Sequence, residues 1–299
     1  MTQRRIIEWR RLWASFAVAG TSMAVYLLLA FMINGGGPFV NKVINLNSLF
    51  LYFSFVLIIY FVSMLFSQLQ LSFATAAFSM YLYFFLLTWG MQGFIHFIFQ
   101  TTVDYQQLFG FAVVISAVNT GMITVVLKPG HSGTGNYISE VKMYFRAHTL
   151  RNWAVRFVFA GLLMSLAYMM VTQLIFPFIE PYYEDANFLY EPGWTERMKL
   201  VAVMGHAALM FFVFLPVFAL WKGSKTSLLF WIGFPLFLIV ATQPFILFDQ
   251  WPLGFRFPVF IHLTLTTYIQ TIILVQLLYV SKDQDEEGLF PAFAWPSHN

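Results

Sequence analysis

Eight long apolar runs, at 12–33, 46–66, 73–99, 108–127, 153–179, 200–221, 227–248 and 258–280, decide what this chain can fold into. Each holds about 20 or more mostly apolar residues, enough for a helix rising ~1.5 Å per residue to cross a hydrocarbon core of ~30 Å. Lipid offers no partner to a backbone N–H or C=O, so the runs have to be helices. Composition agrees: 60% of residues are hydrophobic and 10% charged, where a soluble domain carries about a quarter charged. The expected fold is all-α, a polytopic membrane helix bundle of about eight transmembrane helices. One membrane domain covers 1–281, followed by a tail at 282–299.

Lys and Arg orient the bundle, because basic residues accumulate in cytoplasmic loops. With the N-terminus inside, twelve of the sixteen lie on inner flanks, and only Lys42, Arg197, Lys199 and Arg256 lie on outer ones. Both termini are therefore expected in the cytoplasm, with the protein in the cell membrane as a multi-pass chain. Arg4, Arg5, Arg10 and Arg11 before an apolar run imitate a signal peptide. The run is too long and lacks a small-x-small cleavage pattern, so it reads as a retained first span. Trp9, Trp13, Trp153 and Trp221 fall at inner ends and Trp194 and Trp251 in outer loops. Anchoring at the two interfaces explains them better than a ligand cage.

Two stretches recur 151 positions apart. Gln92-Gly93-Phe94-Ile95-His96-Phe97 resembles Gln243-Pro244-Phe245-Ile246-Leu247-Phe248, and Asn119-Thr120 resembles Gln270-Thr271. The first and fifth runs share Phe16/Phe157, Ala19-Gly20/Ala160-Gly161 and Met23/Met164 at an offset of 141. Four spans per half, 1–128 and 152–281, would make a 4+4 parallel repeat of the kind some transporters use. The alternative is chance matching between Phe-rich segments.

Chemistry has few places to sit. The chain contains no Cys, which removes disulfides, thiolate metal sites and thiol nucleophiles. No Asp or Glu lies within a run, so a proton relay through intramembrane carboxylates has no residues to run on. Arg156, just past an inner boundary, can snorkel. His96, His206 and His262 all fall within an outer layer ~5 Å thick at the helical rise. Imidazoles at one depth could hold a metal ion, ligate haem or hydrogen-bond a quinone. Independent interfacial hydrogen bonds are the simpler reading, because a shared depth does not make a shared face.

The last run carries the strongest polar stripe: His262, Thr266 and Gln270 at i, i+4, i+8, flanked by Thr267 and Thr271. Such a face meets other helices or a wet cavity. Gln243, Asp249 and Gln92 are expected to border it. These residues are the candidate ligand-binding set, and interhelical hydrogen bonding is the competing reading. Pro216, Pro235 and Pro244 each remove a helical hydrogen bond and kink their spans.

The inner loop 128–151 begins with a Pro/Gly/Ser turn region lacking the Lys-Ser/Thr of a phosphate loop. Beyond it, Ile138, Val141, Tyr144 and Phe145 follow a helical stripe, with Lys142 and Arg146 off it. This predicts a short amphipathic helix on the inner leaflet, drawn to anionic lipid headgroups. The outer loop 180–196 is acidic without the spacing of a calcium loop. The lipid bilayer and other membrane proteins are the expected partners; nucleic acid is not. Two functions fit: transport or translocation of a small or amphiphilic solute through an outward-facing polar cavity, or a structural or cofactor-binding subunit of a larger membrane complex. An enzyme on lipid-linked substrates would need clustered acids or His at one interface, and only the outer His layer with Asp104 and Asp249 offers that.

Overall fold

The computed structural model describes residues 2–33, 46–69, 71–91, 105–127, 137–183, 196–247 and 251–280, and these are overwhelmingly helical. In chain order the helices are α1 (Thr2–Ile33), α2 (Leu46–Gln68), α3 (Phe73–Phe85), α4 (Tyr105–Met122), α5 (Tyr137–Arg146), α6 (Leu150–Tyr183), α7 (Glu196–Leu220), α8 (Lys225–Phe237), α9 (Gln243–Leu247) and α10 (Leu253–Leu278). Three π-helical segments continue them: Leu86–Met91 after α3, Ile123–Leu127 after α4 and Leu238–Thr242 between α8 and α9.

Six helical stretches are long and apolar enough to cross a membrane: Trp9–Leu29, Ser48–Gln68, Phe109–Leu127, Leu150–Tyr182, Lys225–Ile246 and Leu253–Leu278. The third and sixth predicted runs appear among the described residues as the shorter apolar helices Phe73–Trp89 and Ala208–Leu220. The chain is thus an integral membrane protein of several helical spans.

Ends differ from the sequence reading where charged residues continue a helix beyond the lipid. α1 begins at Thr2, ten residues before its apolar run, because Arg and Glu are good helix formers. α6 runs on through Pro177 and Pro181 to Tyr183. Pro258 lies inside α10, in its second turn, where it removes the N–H that would reach the Gly254 carbonyl. In the seventh run the expected kink takes π form. Pro244 has no N–H to give the Val240 carbonyl, and the Gln243 N–H reaches back five residues to Leu238 O.

Packing follows one scheme twice. α1 lies on α2 and α6 on α7; α3 lies on α4 and α8 on α10; α1 also meets α4, and α6 meets α10 over most of its length. Between these sets, α2 packs on α8, α9 and the π segment after α8, while α7 packs on α3 and the π segment after α3. Local detail repeats as well. α3 and α8 are both 13 residues long, and each starts at a Ser (Ser72, Ser224) with φ −64° and ψ 156° or 155° whose hydroxyl accepts from the N–H three residues on. Such a cap satisfies one of the open donors at a helix start.

Burial repeats position by position. Ile59, Val62, Leu65 and Phe66 of α2 are buried, as are Phe211, Phe214, Val217 and Phe218, each 152 further on. Ala76, Met80 and Phe84 of α3 match Leu228, Ile232 and Leu236 of α8 in the same way. Past the π segments the offset becomes 151, because the first π segment has six residues and the one after α8 has five. At 151, buried Ala112, Ser116, Asn119, Thr120 and Ile123 meet buried Leu263, Thr267, Gln270, Thr271 and Leu274. Small residues lie where helices meet, with room for ordinary contact. A side chain at Gly20 would touch Tyr52 at 3.9 Å, and one at Gly161 would touch Met204 at 4.0 Å. In lipid, where apolar contact with solvent costs nothing, such close van der Waals packing is what joins helices.

Candidate functional site

The polar stripe of α10 is buried: His262 meets Thr172 of α6, and Thr271 lies against Gly233 of α8. His262, Thr266, Thr267, Gln270 and Thr271 are each less than a tenth exposed. His262, Thr266 and Gln270, four residues apart, share one face of the helix, while Thr267 and Thr271 lie further round it beside Leu263, Leu274 and Leu278, which enter the core. His262 Nε2 lies 3.0 Å from Thr172 Oγ1 of α6. The Thr172 hydroxyl donates to Tyr168 O at 2.8 Å. With its single proton committed there, Thr172 accepts from an imidazole protonated on Nε2. The Tyr168 ring stands edge-on to His262, 5.0 Å between centroids at 87°. Thr266 gives its hydroxyl to His262 O at 2.8 Å and Thr271 gives its own to Thr267 O at 2.8 Å. Both close on their own helix.

Gln243 is buried on α9, which packs between α10 and α2. His96, Gln92, Asp104 and Asp249 lie outside the described residues. His206 belongs to α7, and only its helical backbone is described. Of the candidate set the structure therefore brings together His262, Thr266 and Gln270 on one face, with Gln243 on a neighbouring helix. Among the described residues no three of His, Asp and Glu gather as metal ligands.

Two partners of this region do not stand out in the sequence. Thr172 and Tyr168 receive His262, and nothing in an apolar run distinguishes them from other hydroxyls. Arg156 does more than snorkel: its Nη1 donates to Leu277 O at 2.7 Å and its Nε to Asn152 Oδ1 at 2.7 Å. Tyr144 of α5 donates to the next carbonyl, Leu278 O, at 2.5 Å. Together they cap the last turn of α10, whose carbonyls have no helical N–H to accept. The amphipathic helix is present as α5, with one change of role. Tyr144 is buried against Trp153, ring centroids 4.8 Å apart, so this part of the stripe faces protein. Ile138, Lys142, Met143 and Arg146 remain exposed. Burial pushes the Tyr144 hydroxyl's pKa up, against the opposing pull of Arg156. His148, at the corner before α6, is held below its ordinary value by burial and then by Arg156.

A second polar seam joins α1 to α4. Ser22 donates to Asn119 Oδ1 at 2.5 Å, and Ser22, Ser116, Asn119 and Thr120 are all buried. Nearby, Arg11 reaches across to α2, donating to Ser67 Oγ at 2.9 Å and touching Met64 Sδ at 3.0 Å. Compared with protein-family models, curated proteins and solved structures, the chain matches none. Fold and site define its class: a helical integral membrane protein with neutral polar seams inside the bundle.

Proposed function

We propose that this is an eight-span membrane protein of the cell membrane, built as a 4+4 parallel repeat with both termini cytoplasmic, that moves a small or amphiphilic solute along the seam between α6 and α10. One observation carries the transport reading: five neutral hydrogen-bonding side chains of α10, His262, Thr266, Thr267, Gln270 and Thr271, are buried within the bundle. Packing alone needs no such surplus, since an interhelical polar contact typically contributes only ~0.6 kcal/mol. The repeat is supported by the matched pairings, Ser caps, π segments and burial at offsets of 152 and 151. Repeats of this kind place solute sites near the bilayer midplane. π segments at equivalent places suit helices that change shape, as such segments gather at functional sites. The twelve-to-four Lys/Arg split supports the orientation. Exposed Lys142, Arg146 and Arg151 beside exposed Ile138 and Leu150 suit an inner leaflet rich in anionic headgroups.

Solute flux in vesicles reconstituted with the parent chain and with Thr266→Leu tests the transport reading. Flux that depends on the protein and falls several-fold in the variant is expected; absence of any protein-dependent flux refutes it. The second reading, a structural or cofactor-holding subunit, draws on the closed geometry of the stripe, with Thr266 and Thr271 bonded to their own helix and His262 to Thr172. A visible spectrum, metal analysis and co-purifying membrane proteins test that one.

A further inference from the structure

The seam between α1 and α4 has open hydrogen-bonding capacity. Ser116, Asn119 and Thr120 stand at i, i+3 and i+4, one face of α4, with exposures of 0%, 4% and 6%. Ser22 of α1 fills one acceptor of Asn119. The Ser116 and Thr120 hydroxyls have no hydrogen-bond partner among the described residues. Closing on the helix's own carbonyls is the ordinary remedy, and neighbours use it: Thr124 bonds Thr120 O at 2.5 Å and Ser15 bonds Arg11 O at 2.8 Å. At the position matching Thr120, Thr271 does the same with Thr267 O. Thr120 and Ser116 stay open, which is costly in a site from which water and ligand are both excluded.

Their depth and charge narrow what fills the gap. Ser116 lies eleven residues before Leu127, about 16 Å at the helical rise and so near the middle of a ~30 Å core. No Asp, Glu, Lys or Arg occurs in α4 or in 12–33 of α1. A bound ion would have no counter-charge there, so the occupant is neutral. Two hydroxyls and an amide supply both donors and acceptors. We infer that the α1–α4 seam is a second polar binding site, the counterpart of the α6–α10 seam, which takes water or a small uncharged solute bearing hydroxyl or amide groups at Ser116, Asn119 and Thr120. Its pairing with α6–α10 rests on the 4+4 reading; its open hydroxyls do not.

The absence of Cys makes the test clean. Ser116→Cys, Thr120→Cys and, as a buried apolar control, Ile123→Cys are each introduced into the full-length chain. Each protein is reacted with a small neutral methanethiosulfonate; the thiolate, which forms only beside water, attacks the reagent's sulfenyl sulfur, forming a mixed disulfide and expelling methanesulfinate. The two seam positions should react at least about tenfold faster than Ile123→Cys. If glycerol or urea at molar concentration slows that reaction, the site takes a solute; if neither does, it takes water, and both results support the inference. Rates at both seam positions as slow as at Ile123→Cys overturn it. Thr120→Val is the second measurement and needs no thiol. A hydroxyl bonded to an occupant lowers the thermal midpoint when it is lost, whereas removal of a dry, unpartnered hydroxyl raises it and overturns the inference. Neither readout requires transport, so absent flux would refute the transport reading and leave this one to its own result.

Discussion

Arg156→Met should loosen the C-terminal end of α10. The substitution keeps the aliphatic stem and removes two charge-assisted hydrogen bonds, to Leu277 O and Asn152 Oδ1, both at 2.7 Å. The bond to Leu277 is the one without an alternative, since α10 ends at Leu278 and its final carbonyls point out of the helix. A hydrogen bond to a charged group contributes about 1.5–3 kcal/mol. The partial negative charge of a helix C-terminus adds about 0.3–1 kcal/mol for a cation placed there. Against this stands the relief of no longer half-burying a guanidinium, which offsets part of the gain. The net loss should be about 2 kcal/mol, taking these opposing effects together.

Tyr144→Phe removes the neighbouring cap on Leu278 O and should cost about 1 kcal/mol. Because both donors hold one helix end, the double variant should depart from additivity by about 0.5 kcal/mol or more. The assay is the denaturation midpoint in detergent, followed by tryptophan fluorescence, with hydrogen exchange of the last turn of α10 alongside it. An Arg156→Met protein as stable as its parent would sink the reasoning. So would strict additivity with Tyr144→Phe, which would mean that the two caps act on separate structures.

Two further outcomes follow from local geometry. A side chain at Gly233 would meet Tyr268 Cε1 at 3.2 Å and Thr271 Cγ2 at 3.5 Å. The Tyr268 ring is stacked on Phe237, so Gly233→Val should lower stability by about 1–3 kcal/mol through overpacking between α8 and α10; an unchanged thermal midpoint would show that the two helices are not held that close. His148 resists protonation in the folded chain, through burial first and Arg156 second. The unfolded chain therefore binds the proton first, and stability is complete above the ordinary value of 6.5 and declines as pH falls through it. Thermal midpoints measured from about pH 8 to about pH 5 should fall more in the parent than in His148→Asn, the histidine's contribution being centred near its ordinary value; parallel profiles would refute the assignment.

Much of the candidate site was legible because helical spacing projects directly from sequence. His262, Thr266 and Gln270 form one face for any helix of 3.6 residues per turn, and the structure buries that face. The short amphipathic helix was legible for the same reason, down to Tyr144 in its stripe. What Tyr144 meets was not: an apolar stripe reads alike whether lipid or Trp153 lies opposite, and only the docking of α5 on α7, beside the start of α6, decides. The same limit hid Thr172 as the partner of His262, 90 residues away in the chain, and Arg156 as a cap for a helix that begins a hundred residues later. Asn119-Thr120 was noticed as a recurrence of Gln270-Thr271, yet the open Ser116 and Thr120 hydroxyls became visible only when their surroundings were filled in.

Sequence by itself determined the solvent and the element. Apolar runs of about 20 residues without acidic groups and almost without basic ones belong in lipid, and in lipid they must be helices, because the backbone has no other hydrogen-bonding partner. It also determined periodicity, and with it which residues share a face. Tertiary structure alone decided which faces meet, since lipid and a neighbouring helix are equally apolar and hydropathy cannot tell them apart. That choice turns on shape: a side chain at Gly233 would press on Tyr268 at 3.2 Å, so glycine there lets α8 and α10 approach where a larger side chain would hold them apart. Which faces meet decides the burial of both polar seams and leaves the two hydroxyls of α4 open.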